Sequence, residues 1–101
     1  MHAIDWEDRD GVRWIQIEGE LDQDGCRTIE ERFTRAVEEG GGDVVVLLQG
    51  VPFMATSGIR LLIQAHQSLK PRGRKLKISG LQPKIREVFE TMNLHELFEE
   101  V

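Results

Sequence analysis

The sequence is poor in the residues that disulfide-linked and metal-bound proteins require. Cys26 is its only cysteine, so an intramolecular disulfide and a cysteine-based zinc cluster are both excluded. None of its histidines forms a short ligand pair such as His-Glu-x-x-His. No apolar run approaches the roughly 20 residues that a membrane-spanning helix needs, and the first residues lack the basic and apolar regions of a signal peptide. These absences favour a cytoplasmic domain with no metal, no other cofactor and no membrane insertion.

The patterns of common catalytic and nucleotide-binding sites are also missing. The glycines at 40–42 do not belong to a Gly-x-x-x-x-Gly-Lys-Ser/Thr phosphate loop, and Ser57 does not lie in a Gly-x-Ser-x-Gly elbow. Glu18, Glu20 and Asp22 would share one side of an extended segment, but a domain of this size offers no deep pocket for a catalytic carboxylate pair. We expect these acids to form a solvated rim, and the sequence does not predict an enzyme.

Length and composition are those of one folded domain spanning residues 1–101. Hydrophobic residues make up 40% and charged residues 31% of the chain, and the net charge is −5. Residues 1–50 hold 13 acids and 5 bases, whereas residues 51–101 hold 5 acids and 8 bases. The bases concentrate in a cluster at Lys70, Arg72, Arg74, Lys75 and Lys77. A nucleic-acid patch is one interpretation, but the chain is acidic and no aromatic residue interleaves the cluster. A helix end followed by the solvent face of a strand explains it better.

Hydrophobic periodicity predicts a small mixed α/β sheet. A hairpin is expected first, with its turn at residues 8–11, because a glycine follows two aspartates there. The run at 44–48 is apolar throughout, which is typical of a strand buried on both faces. The predicted strands are 4–6, 12–18, 44–48 and 75–79, and the predicted helices are 24–39, 56–69 and one that starts at Pro83. Helices with narrow apolar stripes fit a sheet that is covered mainly on one face.

Three further features of these elements can be predicted. The glycines at 40–42 should end the first helix. The third helix should turn Ile85, Val88, Phe89 and Met92 inward. The segment 94–98 should form a last short strand or a turn.

Thr56 and Ser57 lie between the buried strand and the second helix. Ser and Thr are favoured at a helix start because their oxygens accept hydrogen bonds from otherwise unpaired N–H groups. The same position lies outside the carboxyl end of a strand, where ligands and regulatory chemistry usually lie in α/β sheets. The local pattern leaves two interpretations open, a helix cap and a phosphoacceptor or binding surface.

Four segments of the chain occur together, in this order and spacing, in one known family. They are Gly19-Glu20-Leu21-Asp22, the strand at 44–48, Phe53-Met54-Ala55-Thr56-Ser57-Gly58-Ile59, and Pro83-Lys84-Ile85-Arg86-Glu87-Val88-Phe89. The chain thereby resembles the STAS domain family, whose best-known members are the bacterial anti-sigma-factor antagonists. The resemblance extends over nearly the whole chain and implies the mixed, helix-covered sheet that the periodicity also predicts.

The resemblance implies a phosphorylation switch in transcription regulation. An unphosphorylated antagonist of this family binds an anti-sigma factor, which is also a serine/threonine kinase of the histidine-kinase-like ATPase fold. Phosphorylation releases the antagonist, and a phosphatase resets it. By position the phosphoacceptor is Thr56, and Asp22 matches an acidic residue of the family that lies close to the acceptor. The implied partner-binding residues are Glu20, Asp22, Ala55, Thr56, Ser57, Gly58 and Arg60.

The sequence differs from the family pattern Asp-Ser-Ser/Thr-Gly at two positions. Ala55 replaces the aspartate and Thr56 replaces the commoner serine. The loss of the carboxylate beside the acceptor favours an alternative, in which the protein is a non-phosphorylated scaffold or a regulatory subunit of a transporter ATPase or signalling complex. A genomic neighbour encoding a histidine-kinase-like ATPase would favour the switch, and a transporter operon would favour the scaffold.

Overall fold

The computed structural model describes residues 2–101 and contains a five-stranded sheet with three helices. The strands are β1 (Ala3–Arg9), β2 (Val12–Glu18), β3 (Val44–Gly50), β4 (Leu76–Ser79) and β5 (Glu99–Glu100). The helices are α1 (Gln23–Glu39), α2 (Thr56–Leu69) and α3 (Pro83–Thr91), with short 3₁₀ turns at Lys70–Arg72 and Leu94–Glu96. The strand order is β1-β2-β3-β4-β5; β1 is antiparallel to β2, and all other neighbours are parallel. The predicted mixed α/β fold is confirmed.

The β1–β2 hairpin turns through two residues in the left-handed region. Asp10 has φ 54° and Gly11 has φ 80°. Positive φ at both central residues is the signature of the type I′ turn, whose twist matches that of the flanking strands. The predicted hairpin is therefore confirmed, and the Asp-Gly pair explains it.

The hydrophobic core lies on one face of the sheet. Ile15 of β2 lies beside Val46 of β3, which lies beside Ile78 of β4, and all three side chains are fully buried. The opposite face carries Gln16, which is exposed, and Lys77, which is half-buried. The helices therefore cover mainly one face, as predicted. Within residues 2–101, no helix combines the length and apolar character that crossing a bilayer requires.

The prediction for α3 is half wrong. Ile85 and Phe89 are buried, but Val88 is 40% exposed and Met92 is 50% exposed. Residues four apart lie above one another on a helix, so Ile85 and Phe89 form one narrow stripe, and Val88 and Met92 lie to one side of it. A helix of nine residues buries only this stripe.

The predicted last strand or turn at 94–98 is a 3₁₀ turn, and the strand follows it at Glu99–Glu100. Phe98 is fully buried between these two elements. Its ring lies 6.1 Å from the ring of Phe89 and 5.8 Å from that of His66. The end of the chain is thereby packed against both α2 and α3.

The glycines at 40–42 follow the end of α1 as predicted, although they act by a different mechanism from a left-handed cap. Gly40 is extended, with φ −79° and ψ 171°. The requirement for glycine is one of space, because a Cβ at Gly42 would overlap the carbonyl oxygen of Gly11, and a Cβ at Gly40 would lie 3.1 Å from Arg74 Nη2. The glycines allow the hairpin turn and an arginine to approach the end of α1.

Two guanidinium groups satisfy the last carbonyls of α1. Arg13 Nη1 donates to Ala36 O at 2.8 Å, and Arg74 Nη2 donates to Val37 O at 3.1 Å. The last turn of α1 has no basic residue of its own. Because the C-terminus of a helix carries partial negative charge, the two arginines supply from the sheet side the positive charge that the helix lacks.

Candidate functional site

The candidate site lies where β3 ends and α2 begins, at the carboxyl end of the sheet. The loop between them is held by Leu21, which follows β2. Leu21 N donates to Phe53 O at 2.8 Å, and Ala55 N donates to Leu21 O at 2.9 Å. These two bonds form a short parallel bridge between Leu21 and Met54. Glu20 and Asp22 therefore lie on either side of the residue that bridges to this loop.

Gly58 allows the start of α2 to lie close to this bridge. A Cβ at this position would lie 2.7 Å from Met54 Cγ and 3.1 Å from Leu21 Cβ. Contacts this short would force the bridge and the helix apart. The motif glycine is thus a packing requirement of the site, and it keeps Thr56 at a fixed distance from the Glu20–Asp22 segment.

The two hydroxyls of the motif have different environments. Thr56 is exposed at the first position of α2, whereas Ser57 is half-buried. Ser57 Oγ is fully buried and has no hydrogen-bond partner within residues 2–101. Of these two residues, only Thr56 is exposed on the surface of the folded domain.

Ser57 points toward the buried thiol of Cys26 in α1. Burial raises the pKa of this thiol, and the neighbouring Ser57 hydroxyl opposes part of the rise. The thiol itself donates a long 3.8 Å bond to Leu21 O. Cys26 is therefore a packed, protonated core residue beneath the site, with Ser57 above it.

The interpretation of Thr56 and Ser57 as helix caps is wrong. The N-cap residue of α2 is Ala55, and no side chain caps this helix. Asp22 at the N-cap of α1 has nearly the same backbone conformation, and its Oδ1 accepts from Gly25 N at 2.7 Å. Since the motif residue at 55 is alanine, the first turn of α2 lacks the bond that Asp22 gives to α1.

The acidic segment is only partly the solvated rim that was predicted. Glu18 and Glu20 are exposed, but Asp22 is half-buried and its side chain is used as the cap of α1. The alternation of the strand stops at Glu18, because Gly19 has φ 105° and turns the chain away from the sheet. Glu20 is thus the carboxylate of the segment that faces solvent beside the Thr56 loop.

Two further side chains complete the surface around Thr56. Arg60 is exposed on α2, one turn after Thr56 and on the same side of the helix. Phe53 is 50% exposed in the loop; it was part of the recognised motif but was not predicted as a contact residue. The sequence could have indicated this exposure, because Phe53 is an aromatic residue that follows Pro52 in a loop and belongs to no apolar periodicity that would place it in the core. The exposed surface therefore combines a hydroxyl, a carboxylate, a guanidinium and an aromatic ring.

Comparison with known proteins identifies the kind of domain that carries this site. A family model described as STAS domain matches residues 3–101. The chain is 29% identical over 83 residues to the anti-sigma-B factor antagonist of Staphylococcus aureus, with 82% of this chain and 77% of that protein covered.

Solved structures show the same fold. The crystal structure of an anti-sigma factor antagonist from Mycobacterium paratuberculosis superimposes with a TM-score of 0.86 at 21% identity, covering 99% of this chain and 85% of that one. The phosphorylated form of the Bacillus cell fate determinant SpoIIAA superimposes with a TM-score of 0.73 at 20% identity, covering 98% and 91% of the two chains.

Proposed function

The chain belongs to the STAS domain family, and from this premise we propose that it is an anti-sigma-factor antagonist whose binding is switched by phosphorylation of Thr56. The antagonist function is supported by the similarity to the Staphylococcus aureus anti-sigma-B factor antagonist and by the fold shared with the Mycobacterium paratuberculosis antagonist. The observation that carries the switch is the exposure of Thr56 beside the buried hydroxyl of Ser57.

The proposed partner is an anti-sigma factor that is also a serine/threonine kinase of the histidine-kinase-like ATPase fold, with a separate phosphatase to reverse the modification. The domain acts in the cytoplasm by binding and carries out no catalysis itself. Glu20, Asp22, Ala55, Ser57, Gly58 and Arg60 form or support the surface around Thr56. Of these, Glu20 and Arg60 would touch the partner, while Asp22 caps α1 and Gly58 lets α2 lie close to Leu21.

The switch follows from charge. A phosphate adds about −1.5 to −2 charges at neutral pH. On Thr56 it would lie on the surface that also holds the exposed carboxylate of Glu20 and the exposed guanidinium of Arg60. A partner surface that fits a neutral hydroxyl, an aromatic ring and one carboxylate would then meet concentrated negative charge. Unpaired or repelling charges at an interface cost several kcal/mol.

The first experiment is phosphosite mapping by mass spectrometry on the protein purified from its native cells. The anti-sigma factor identified in the same purification is then titrated calorimetrically with four forms: wild type, Thr56→Ala, Thr56→Glu and Ser57→Ala. We expect phosphate on Thr56, wild-type affinity for Thr56→Ala, and affinity lowered about a hundredfold or more for Thr56→Glu.

Ser57→Ala is the matched control, because it removes the neighbouring hydroxyl without changing the exposed surface. Equal binding by Thr56→Ala and Thr56→Glu, together with unmodified Thr56 in cells, would contradict the switch. That result would favour the non-phosphorylated scaffold or transporter-linked subunit, for which the absence of a carboxylate at Ala55 is the structural argument.

A further inference from the structure

A concave surface lies at the opposite end of the sheet from Thr56. It is a cleft of about 440 Å³ between the end of α2, the turn before β4 and the segment that enters β5. Because β3, β4 and β5 run parallel, the start of β4 is at the amino end of the sheet and Thr56, after β3, is at the carboxyl end. We call it the basic cleft; it contains most of the basic cluster found in the sequence. Its lining residues are His66, Lys70, Gly73, Arg74, Lys75, Leu76, Lys77, Glu96, Leu97 and Glu99.

The cleft holds more positive charge than its own carboxylates balance. Lys77 Nζ lies 3.6 Å from Glu99 and 3.9 Å from Asp43, so this lysine is paired. Lys70 and Lys75 have no carboxylate within ion-pair distance in the part of the chain that the structure describes. The excess is notable in a chain whose net charge is −5, and it creates a local positive potential.

Arg74 adds a buried charge to this potential. It is 8% exposed and is the only buried charged side chain among residues 2–101. Its Nε donates to Gly42 O at 2.6 Å and its Nη2 to Val37 O, both of them neutral carbonyls. Its Nη1 is buried without a hydrogen-bond partner within the same residues. Among residues 2–101 no carboxylate lies within ion-pair distance of this guanidinium. Its surroundings screen its charge less than water would.

The walls of the cleft are apolar between the cations. Leu76 is buried beneath it, and Leu97 is 40% exposed at its side. His66 presents a ring whose edge packs on Phe98. A volume of this size with apolar walls and a few convergent polar groups is typical of sites for small molecules.

We propose that the basic cleft binds an organic phosphate, that is, a phosphate monoester on an apolar body. The phosphate would form ion pairs with Lys70 and Lys75, and the positive charge of Arg74 would attract it further. The apolar part of the ligand would pack against Leu97. Binding here would leave the Thr56 surface open, so the proposal stands independently of the phosphorylation switch.

The test is a ¹⁵N–¹H NMR titration of the full chain at constant ionic strength. Three probes are used. Phenyl phosphate carries both the charge and an apolar ring, inorganic phosphate carries the charge alone, and benzyl alcohol carries the apolar ring alone. We expect saturable shifts with phenyl phosphate at the amides of Lys70, Gly73, Leu76 and Leu97. Each of the other two probes should bind about tenfold more weakly or not measurably.

Variants separate the two contributions. The double variant Lys70→Gln/Lys75→Gln should lower the affinity for phenyl phosphate about tenfold or more, whereas Lys84→Gln, an exposed lysine on α3, should leave it unchanged. Leu97→Ser should weaken phenyl phosphate but not inorganic phosphate. The proposal is overturned if phenyl phosphate gives no saturable shift, if the shifts spread over all surface lysines, or if the double variant binds like wild type.

Discussion

At the amino end of the sheet two guanidinium groups close the last turn of α1, whereas at the carboxyl end the first turn of α2 begins without a side-chain cap. Carbonyl oxygens at the end of α1 accept hydrogen bonds from Arg13 and Arg74, and the glycines that follow allow the hairpin turn to approach closely. The start of α2 has alanine at its N-cap, and the buried Ser57 hydroxyl has no hydrogen-bond partner in the part of the chain that the structure describes.

The difference separates the end of α1, where two carbonyls are already bonded by side chains of the domain, from the start of α2, which is available to a partner. Groups that are fully paired within the chain gain little by meeting another protein. An open helix start, an exposed hydroxyl and an exposed aromatic ring can each gain contacts on binding. Natural proteins often accept lower local stability at such sites in exchange for function.

The largest effect is expected at the end of α1. Gly42→Ala should lower the free energy of unfolding by about 3 kcal/mol, because the new Cβ would overlap the Gly11 carbonyl oxygen and must displace the hairpin turn. Urea denaturation measures the change. Gly41→Ala is the matched control, since a Cβ there meets nothing within 4 Å, and it should change stability little. Equal stability of the two variants would show that the close approach is not a constraint.

A smaller effect, of opposite sign at the two helix starts, is expected for the caps. Asp22→Ala should lower the free energy of unfolding by about 1 kcal/mol, and Ala55→Asp should raise it by about 1 kcal/mol. Both positions have an extended backbone that suits a capping carboxylate. Thermal and urea unfolding measure both changes. If Ala55→Asp leaves stability unchanged while Ala55→Gly lowers it, the start of α2 is already satisfied and the comparison fails.

The smallest effect is a dependence on pH at the amino end. The hydrogen bonds from Arg13 hold the pKa of Asp8 below its ordinary value of 3.8. A carboxyl whose folded pKa is lowered contributes stability above its unfolded pKa, and loses it as the pH falls through the folded pKa. Asp8→Asn should therefore lose less stability than wild type as the pH falls from about 5 to about 2. An Asp8→Asn curve identical to the wild-type curve would exclude the effect.

The parts of the fold that could be predicted from sequence are those with a strong local signal. The apolar run at 44–48, the Asp-Gly turn and the helical periodicity around Phe33 each indicate their element without reference to the rest of the chain. The placement of Asp22 close to a phosphoacceptor at Thr56 came from the family resemblance and stays a prediction. The prediction that Thr56 and Ser57 cap α2 was wrong because the N-cap lies one residue earlier, at Ala55. A shift of one residue changes which side chain can cap the helix.

Long-range partners had no local signal at all. The sequence around Arg74 predicts a solvated basic turn. Arg74 is nevertheless buried, because its side chain extends to α1 and donates to the carbonyl oxygen of Val37. Val88 and Met92 fit the periodicity of an inner face, and only the narrow contact of α3 with the core leaves them exposed. Sequence periodicity indicates which side of a helix packs on the core, but it does not indicate how much of that side the neighbouring elements bury.

The left-handed Asp10-Gly11 turn also bears on the order in which the sheet assembles. It joins strands whose paired residues are close in sequence, whereas Ile15 meets Val46 only after the whole of α1 has crossed over. Hairpins form within about 1–10 μs, and contacts between distant residues form more slowly. We expect the hairpin to be present in the folding transition state and to offer β2 as the template for β3. Gly11→Ala, strained at φ 80°, should then slow refolding more than it speeds unfolding, and stopped-flow kinetics with the reverse partition would contradict this order.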